Sequence, residues 1–180
     1  YLTVHGQQFV PGDRGRILLP LVFCRECGQE YYCIRVSRDK ETRQRVFIPR
    51  ELSDHLSDAE SEAGFLYASS TQPWPLDAKD MIERLPDDWL EEHRGALRVR
   101  PNRRRYLPQA VRIRPDGVEG DAGLDCHYVL APFRFCLHRG ISYGSWQSLD
   151  FPKLASLGTE GRSSATTVLS LTAIRYLRED

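Results

Sequence analysis

Phe23-Cys24-Arg25-Glu26-Cys27-Gly28 leads on to Tyr31, and Phe135-Cys136-Leu137-His138-Arg139-Gly140 leads on to Tyr143. Both copies read F-C-x-x-[C or R]-G-x-x-Y, about 110 residues apart. A phrase written twice asks first whether its copies work together. Two tight turns, each giving one or two thiolates, are how a chain builds a split zinc site. Glycine after the second cysteine lets the backbone close round the sulfurs without a Cβ clash. Flanking aromatics shield such a site and pack its two hairpins together. Cys24 and Cys27 fit this pattern, and Cys136 supplies a third ligand. The fourth is due at position 139, where the arginine guanidinium has no lone pair to give.

Three solutions stand open at this point. His138 can swing in, making a Cys3His site. Cys126 or His127 can arrive from the preceding strand. Or the site is empty, and its cysteines are small buried hydrophobes of a former ribbon. A redox-active CxxC is a weaker reading, because no βαβ pattern surrounds it. Cys33 alternates with Tyr32 and Ile34, which places it in a strand's core face.

Outward from the first turn the chain reads as β. Leu19–Phe23, Glu30–Ser37 and Arg45–Pro49 are rich in β-branched and aromatic residues. Asp39-Lys40-Glu41-Thr42 is a polar turn between the last two. Further strands are expected at Gly64–Ala68, Leu97–Arg100, Ala110–Arg114 and Cys126–Leu130, with a turn at Pro115-Asp116-Gly117. Asp77–Leu85 reads as a helix capped by Asp77 and ended by Pro86. Asp87–Arg94 reads as a second short helix closed by Gly95, and Asp150–Leu157 as a third. Ser163–Leu177 makes a last helix, apolar nearly all round and so buried on most sides. The expected class is α+β: antiparallel β hairpins with a split zinc-ribbon-like core, short helices in the middle and a buried C-terminal helix. Residues 1–149 form the ribbon-like module and 150–180 a helical connector.

Charge is balanced in sum, with 25 basic and 25 acidic residues, but segregated along the chain. Glu51 to His93 holds 12 acids against Lys79 and Arg84, an acidic excursion over 51–94. Arg98 to Arg114 holds 7 arginines and no acid, a basic β stripe over 97–114. Arginine forks suit phosphate oxygens and Tyr106 can stack on a base, so Arg103, Arg104, Arg105 and Tyr106 are candidates for nucleic-acid contact. The plainer reading is that these arginines are solvated or pair with the acidic middle. Arg162, in a glycine-flanked turn before the last helix, is a further candidate, since anions are favoured at a helix N-terminus. A rival role makes the acidic middle, with Trp74 and Trp89, a docking surface for a protein partner.

Five cysteines, an odd number, argue against a disulfide framework and for a reducing, cytoplasmic setting. The longest apolar runs are too short to span a bilayer, so no membrane partner is expected. The chain opens without Met in what reads as a strand, which suggests an excerpt of something larger.

The phrases PLVFCRECGQEYY, FRFCLHRGISYG and DFPKLASLGTEGRSSATTVLSLTAIRYL resemble the segment between the two motor lobes of large bacterial superfamily 2 DEAD/DEAH-box helicases. The likeness is to the DruE-like helicases of the Druantia anti-phage defence system and to MrfA-like relatives. It covers both ends of the chain and the middle only weakly. The resemblance implies a DNA helicase or translocase, with ATP and Mg bound by lobes on either side. This stretch itself holds no GxxxxGK[ST] phosphate loop and no DEAD/DEAH box. It would be an accessory module bracing the two motor lobes and contributing to the DNA track. In that family the second turn reads FCLxCG, so Arg139 stands where a cysteine is implied.

Overall fold

The computed structural model describes residues 7–56, 60–144 and 147–156. The strands are β1 (Phe9–Val10), β2 (Asp13–Ile17), β3 (Leu21–Cys24), β4 (Glu30–Arg38), β5 (Arg45–Pro49) and β6 (Glu62–Tyr67). Helix α1 (Ala78–Arg84) follows, then β7 (Leu90–His93), β8 (Ala96–Val99), β9 (Gln109–Ile113), β10 (Leu124–Leu130) and β11 (Leu154–Ser156). All pairings are antiparallel, so the expected α+β class of antiparallel hairpins with a ribbon-like core holds. No helix among the described residues is long and apolar enough to cross a membrane.

The main sheet runs β11-β3-β4-β6-β10-β9, with β5 also paired to β4. It curls until β5 approaches the end of β9. Val118 bridges to Val46 of β5, and Glu119 bridges to Ile113 of β9. The Phe47 N–H donates to the Gly117 carbonyl at 2.8 Å, across the same seam. Gly117 sits at φ +85°, and a Cβ there would lie 2.6 Å from the Phe47 carbonyl oxygen, so only glycine makes the seam. The ring β5-β4-β6-β10-β9 closes round one core of Ile34, Val36, Phe47, Leu66, Val111, Ile113, Cys126 and Tyr128.

Alternate residues of the same strands build a second core on the outer face, as the period-two pleat demands. There Tyr31, Cys33, Phe65, Tyr67 and Val129 meet Trp74, Trp89, Phe133, Phe135 and Cys136. Both faces of β4 and β6 are therefore covered, and the two knuckles sit on the outer core.

Local signals behave as read. The Asp77 carboxylate accepts from the Lys79 and Asp80 N–H groups and starts α1, which ends at Leu85 before Pro86. Asp39 accepts from the Glu41 and Thr42 N–H groups and shapes the β4–β5 turn. Two expected helices are absent. Asp87–Trp89 is a single 3-10 turn, and the chain then becomes β7 instead of continuing a helix to Arg94. Trp89 and Leu90 are buried side by side, which a strand satisfies and an exposed acidic helix does not. Arg94 and Gly95 both lie at positive φ, 53° and 79°, and close a two-residue hairpin between His93 and Ala96. Likewise 150–153 makes one turn, and Leu154–Ser156 then pairs with β3 as an edge strand. The segment assigned from sequence to a helical connector thus adds a strand to the sheet. The Gly158–Arg162 turn, Arg162 itself and the Ser163–Leu177 helix lie outside the described residues.

Candidate metal centre

The two copies of the repeated phrase fold alike. In the first, the Gly28 N–H donates to the Cys24 carbonyl (2.8 Å) and the Cys24 N–H to the Gln29 carbonyl (2.8 Å). In the second, the Gly140 N–H donates to the Cys136 carbonyl (2.7 Å) and the Cys136 N–H to the Ile141 carbonyl (2.9 Å). Gly28 and Gly140 occupy the left-handed region at φ 76° and 66°, as the sharp return of each knuckle requires. Strand β3 delivers the first knuckle, and the short bridge between Phe135 and Ser142 closes the second.

The knuckles face each other. The sulfurs of Cys24, Cys27 and Cys136 lie within 4.8 Å of one another, an arrangement that can hold a metal ion. Cys27 Sγ and Cys136 Sγ are 3.5 Å apart. Cys24 and Cys136 are buried and Cys27 half-buried, so the cluster is reached from the Cys27 side. All five cysteines are free thiols.

The sulfurs are not equivalent. A hydrogen bond from Cys136 holds the Cys24 thiol down to about 5, outweighing the burial that pushes it up. The same bond, with burial, pushes the Cys136 thiol up. Burial pushes up Cys27. Cys24 is thus favoured as thiolate over Cys27 and Cys136, and a cation binding the set would displace the protons that remain.

Two tyrosines cross between the knuckles. Tyr31, seven residues after Cys24, donates its hydroxyl hydrogen to Cys136 Sγ at 3.4 Å. Tyr143, seven residues after Cys136, lies 3.7 Å from Cys24 Sγ through its hydroxyl. Burial is the largest cause pushing both phenols up, so both keep their hydrogens at neutral pH. The repeated tyrosine was visible in the phrase, but sequence reasoning gave the flanking aromatics only a packing role. Its equal spacing from each leading cysteine is the signal that marks a partner for the opposite sulfur.

The other sequence candidates fall in three places. His138 borders, with Cys27, Ser69 and Thr71, an open polar groove of about 410 Å³. Its Nδ1 is buried and without a hydrogen-bond partner, although its ring is not within the close sulfur group. Arg139 points out to solvent, leaving position 139 without a donor. Cys126 belongs to the ring core, on the face of β10 away from the knuckles, and burial pushes its thiol up to about 11. It therefore supplies no ligand here. His127, like His138, lies outside the close sulfur group, and its Nε2 is buried without a hydrogen-bond partner. Cys33 is a core residue as read, its thiol pushed up to about 12 by burial.

The basic stripe is largely engaged within the fold. Arg98 pairs with Glu91 at 2.8 Å across the β7–β8 hairpin, and Arg103 with Asp88 at 3.4 Å. Arg112 meets Asp125 at 2.7 Å and Arg114 meets Asp116 at 2.8 Å. Arg100 donates to the Leu90 carbonyl. Arg105 stacks on Tyr106 and donates to its hydroxyl at 2.6 Å. Arg104 is exposed on the 3-10 turn Arg104–Tyr106. The acidic middle and the basic stripe are in part each other's counter-charges. Trp74 and Trp89 are 2% and 0% exposed and pack against Phe135, with ring centroids 5.6 and 4.5 Å away. They are core residues, which removes them as anchors for a protein partner.

Comparison of the chain with protein-family models, with curated proteins and with solved structures finds no match.

Proposed function

We propose that this chain is a non-catalytic, zinc-clasped β module. In it Cys24, Cys27 and Cys136 hold the ion, and His138 turns in from the groove as the fourth ligand. The observation that carries the proposal is the meeting of three sulfurs, from knuckles 109 residues apart, within one 4.8 Å cluster. Thiolate-rich donor sets select zinc among abundant divalent ions, and a Cys3His set is a closed structural site. The buried, unpartnered Nδ1 of His138 supports its part, because a buried polar atom without a partner is costly. The free thiols suit a reducing compartment, and we assign the protein to the cytoplasm on that ground.

We further propose, from the sequence resemblance, that the module serves a superfamily 2 DNA helicase in anti-phage defence. It would brace the motor lobes while those lobes carry ATP and Mg. Its own contact with DNA would run through Arg104, Arg105 and Tyr106, which share one 3-10 turn, with Arg103 beside them; Arg162, outside the described residues, is proposed from the sequence alone. Three of these arginines are adjacent, and Arg104 reaches solvent from the turn.

The test is fluorescence anisotropy of this chain with single-stranded and duplex DNA across a salt series. Each phosphate contact removed lowers the salt slope by about one. The Arg104→Ala/Arg105→Ala variant is expected to weaken binding and lower that slope by about two. Unchanged affinity and slope would remove DNA from the function and leave the metal clasp standing alone.

A further inference from the structure

The two tyrosines of the repeated phrase do more than fill space. Tyr31 is fully buried, and its hydroxyl is placed by two bonds at once. It accepts from the Leu137 N–H at 2.8 Å and donates to Cys136 Sγ at 3.4 Å. Both partners belong to the second knuckle, so the phenol of the first knuckle's strand plugs the turn of the second. Tyr143 makes the return contact, its hydroxyl 3.7 Å from Cys24 Sγ. The rings are tied through Phe133, which lies 4.9 Å from Tyr31 and 5.8 Å from Tyr143 between centroids.

We propose that Tyr31 and Tyr143 are positioning residues of the metal centre, each donating its hydroxyl hydrogen to a ligand sulfur of the opposite knuckle. A metal-bound sulfur is a thiolate and has no hydrogen to give, so in both contacts the phenol is the donor. Three thiolates round a divalent cation, with a neutral fourth ligand, leave one negative charge in a buried place. Two hydroxyl donors stabilise that charge and aim the sulfurs, and outer partners of this kind are worth about 10- to 100-fold in metal affinity. The crossing also makes the half-sites interdependent. Each knuckle's leading cysteine is aimed in part by the tyrosine that the other knuckle brings.

The inference rests on the metal reading, and one experiment separates the two. Wild type, Tyr31→Phe, Tyr143→Phe and the double variant are titrated with Co(II) and with Zn(II) against a competing chelator. The thiolate-to-Co(II) charge-transfer band is recorded, and the metal-free proteins are melted in parallel. Phenylalanine keeps each ring's packing and removes only the hydroxyl. The expected result is a loss of at least tenfold in affinity for Tyr31→Phe, a smaller loss for Tyr143→Phe, and a shifted charge-transfer band in both. Unchanged affinity and band position in the variants overturn the inference while the metal reading survives. A lower melting point of the metal-free protein with an unchanged band does the same, because that is packing alone. If wild type itself gives no charge-transfer band, the metal reading fails and the tyrosine role falls with it. Should Tyr31→Phe fail to fold, the half-buried Tyr143→Phe carries the same readings.

Discussion

The two knuckles share a backbone and differ in what holds it. The first carries two cysteines and is tied down by the C-terminal turn. Arg25 donates its N–H to the Lys153 carbonyl (3.0 Å) and its side chain to the Phe151 and Leu154 carbonyls. The second carries one cysteine, and its missing ligand position points to solvent as Arg139. It is gripped by the middle of the chain instead. Arg84 of α1 donates to the Leu137 carbonyl at 2.8 Å, Ser142 donates to Asp88, and Trp74 and Trp89 sandwich Phe135. A knuckle fold therefore does not need two ligands. Glycine in the left-handed region and packing are enough, and a metal bound by the three sulfurs would add to the first knuckle what aromatic burial already supplies to the second.

The largest expected effect comes from the packing side. Trp89→Ala should cost about 3–5 kcal/mol, as large aromatic truncations in a core do. Urea unfolding with and without metal should show nearly the same loss. If the loss vanishes when metal is present, the second knuckle depends on the ion, and the contrast between the knuckles breaks.

Next in size is removal of the ion. Chelation should leave the fold standing and loosen the first knuckle more than the second. Amide exchange checks this: the Cys24 and Gly28 N–H groups should lose protection, while those of Cys136 and Gly140 keep most of theirs. Equal loss in both would contradict the division of labour.

A third comparison concerns the fourth ligand. His138→Ala should weaken zinc binding by at least about tenfold, and Arg139→Cys in that background should restore it by making a four-thiolate site. Competition titration with a chromogenic chelator measures both. If His138→Ala binds as tightly as wild type, the groove histidine is not the ligand.

The smallest effect is in protons. Cys24 sits at about 5, whereas Cys27 and Cys136 are pushed up from the ordinary thiol value. At pH 7 the first of these is already deprotonated, so binding should release about two protons instead of three. Affinity then falls as pH falls, and more steeply below about pH 5, where Cys24 must also be deprotonated by the metal. Calorimetry in buffers of different ionisation enthalpy counts the protons.

How much of this was legible depended on how local each signal was. The Asp77 cap, the Asp39 turn and the strands flanking the first knuckle follow from neighbours a few residues apart, and the sequence shows them. The doubled phrase pointed to a meeting of its two copies, and their sulfurs do come together. Elements decided by distant partners were misread. Asp150 looked like a helix start, but its carboxylate accepts from the Phe133 N–H, 17 residues away, and Leu154 goes on to pair with Cys24. Acids before Trp89 resembled a helix cap, but the chain makes a single 3-10 turn that buries that ring against Phe135 and then enters β7 at Leu90. The seam at Gly117–Glu119 joins two strands that are separated along the chain, and no local pattern announces it. Charge runs mislead for the same reason: Arg98 and Arg103 are adjacent in space to Glu91 and Asp88, not merely downstream of them.

The central claim is that three sulfurs from two knuckles hold one ion. Elemental analysis of purified protein, reported as metal per chain, tests it most directly. The account predicts one zinc per chain in wild type and none in Cys24→Ala/Cys136→Ala, with both proteins folded by circular dichroism. A folded wild-type protein that holds no zinc after reconstitution, and whose melting point a chelator does not move, would contradict it.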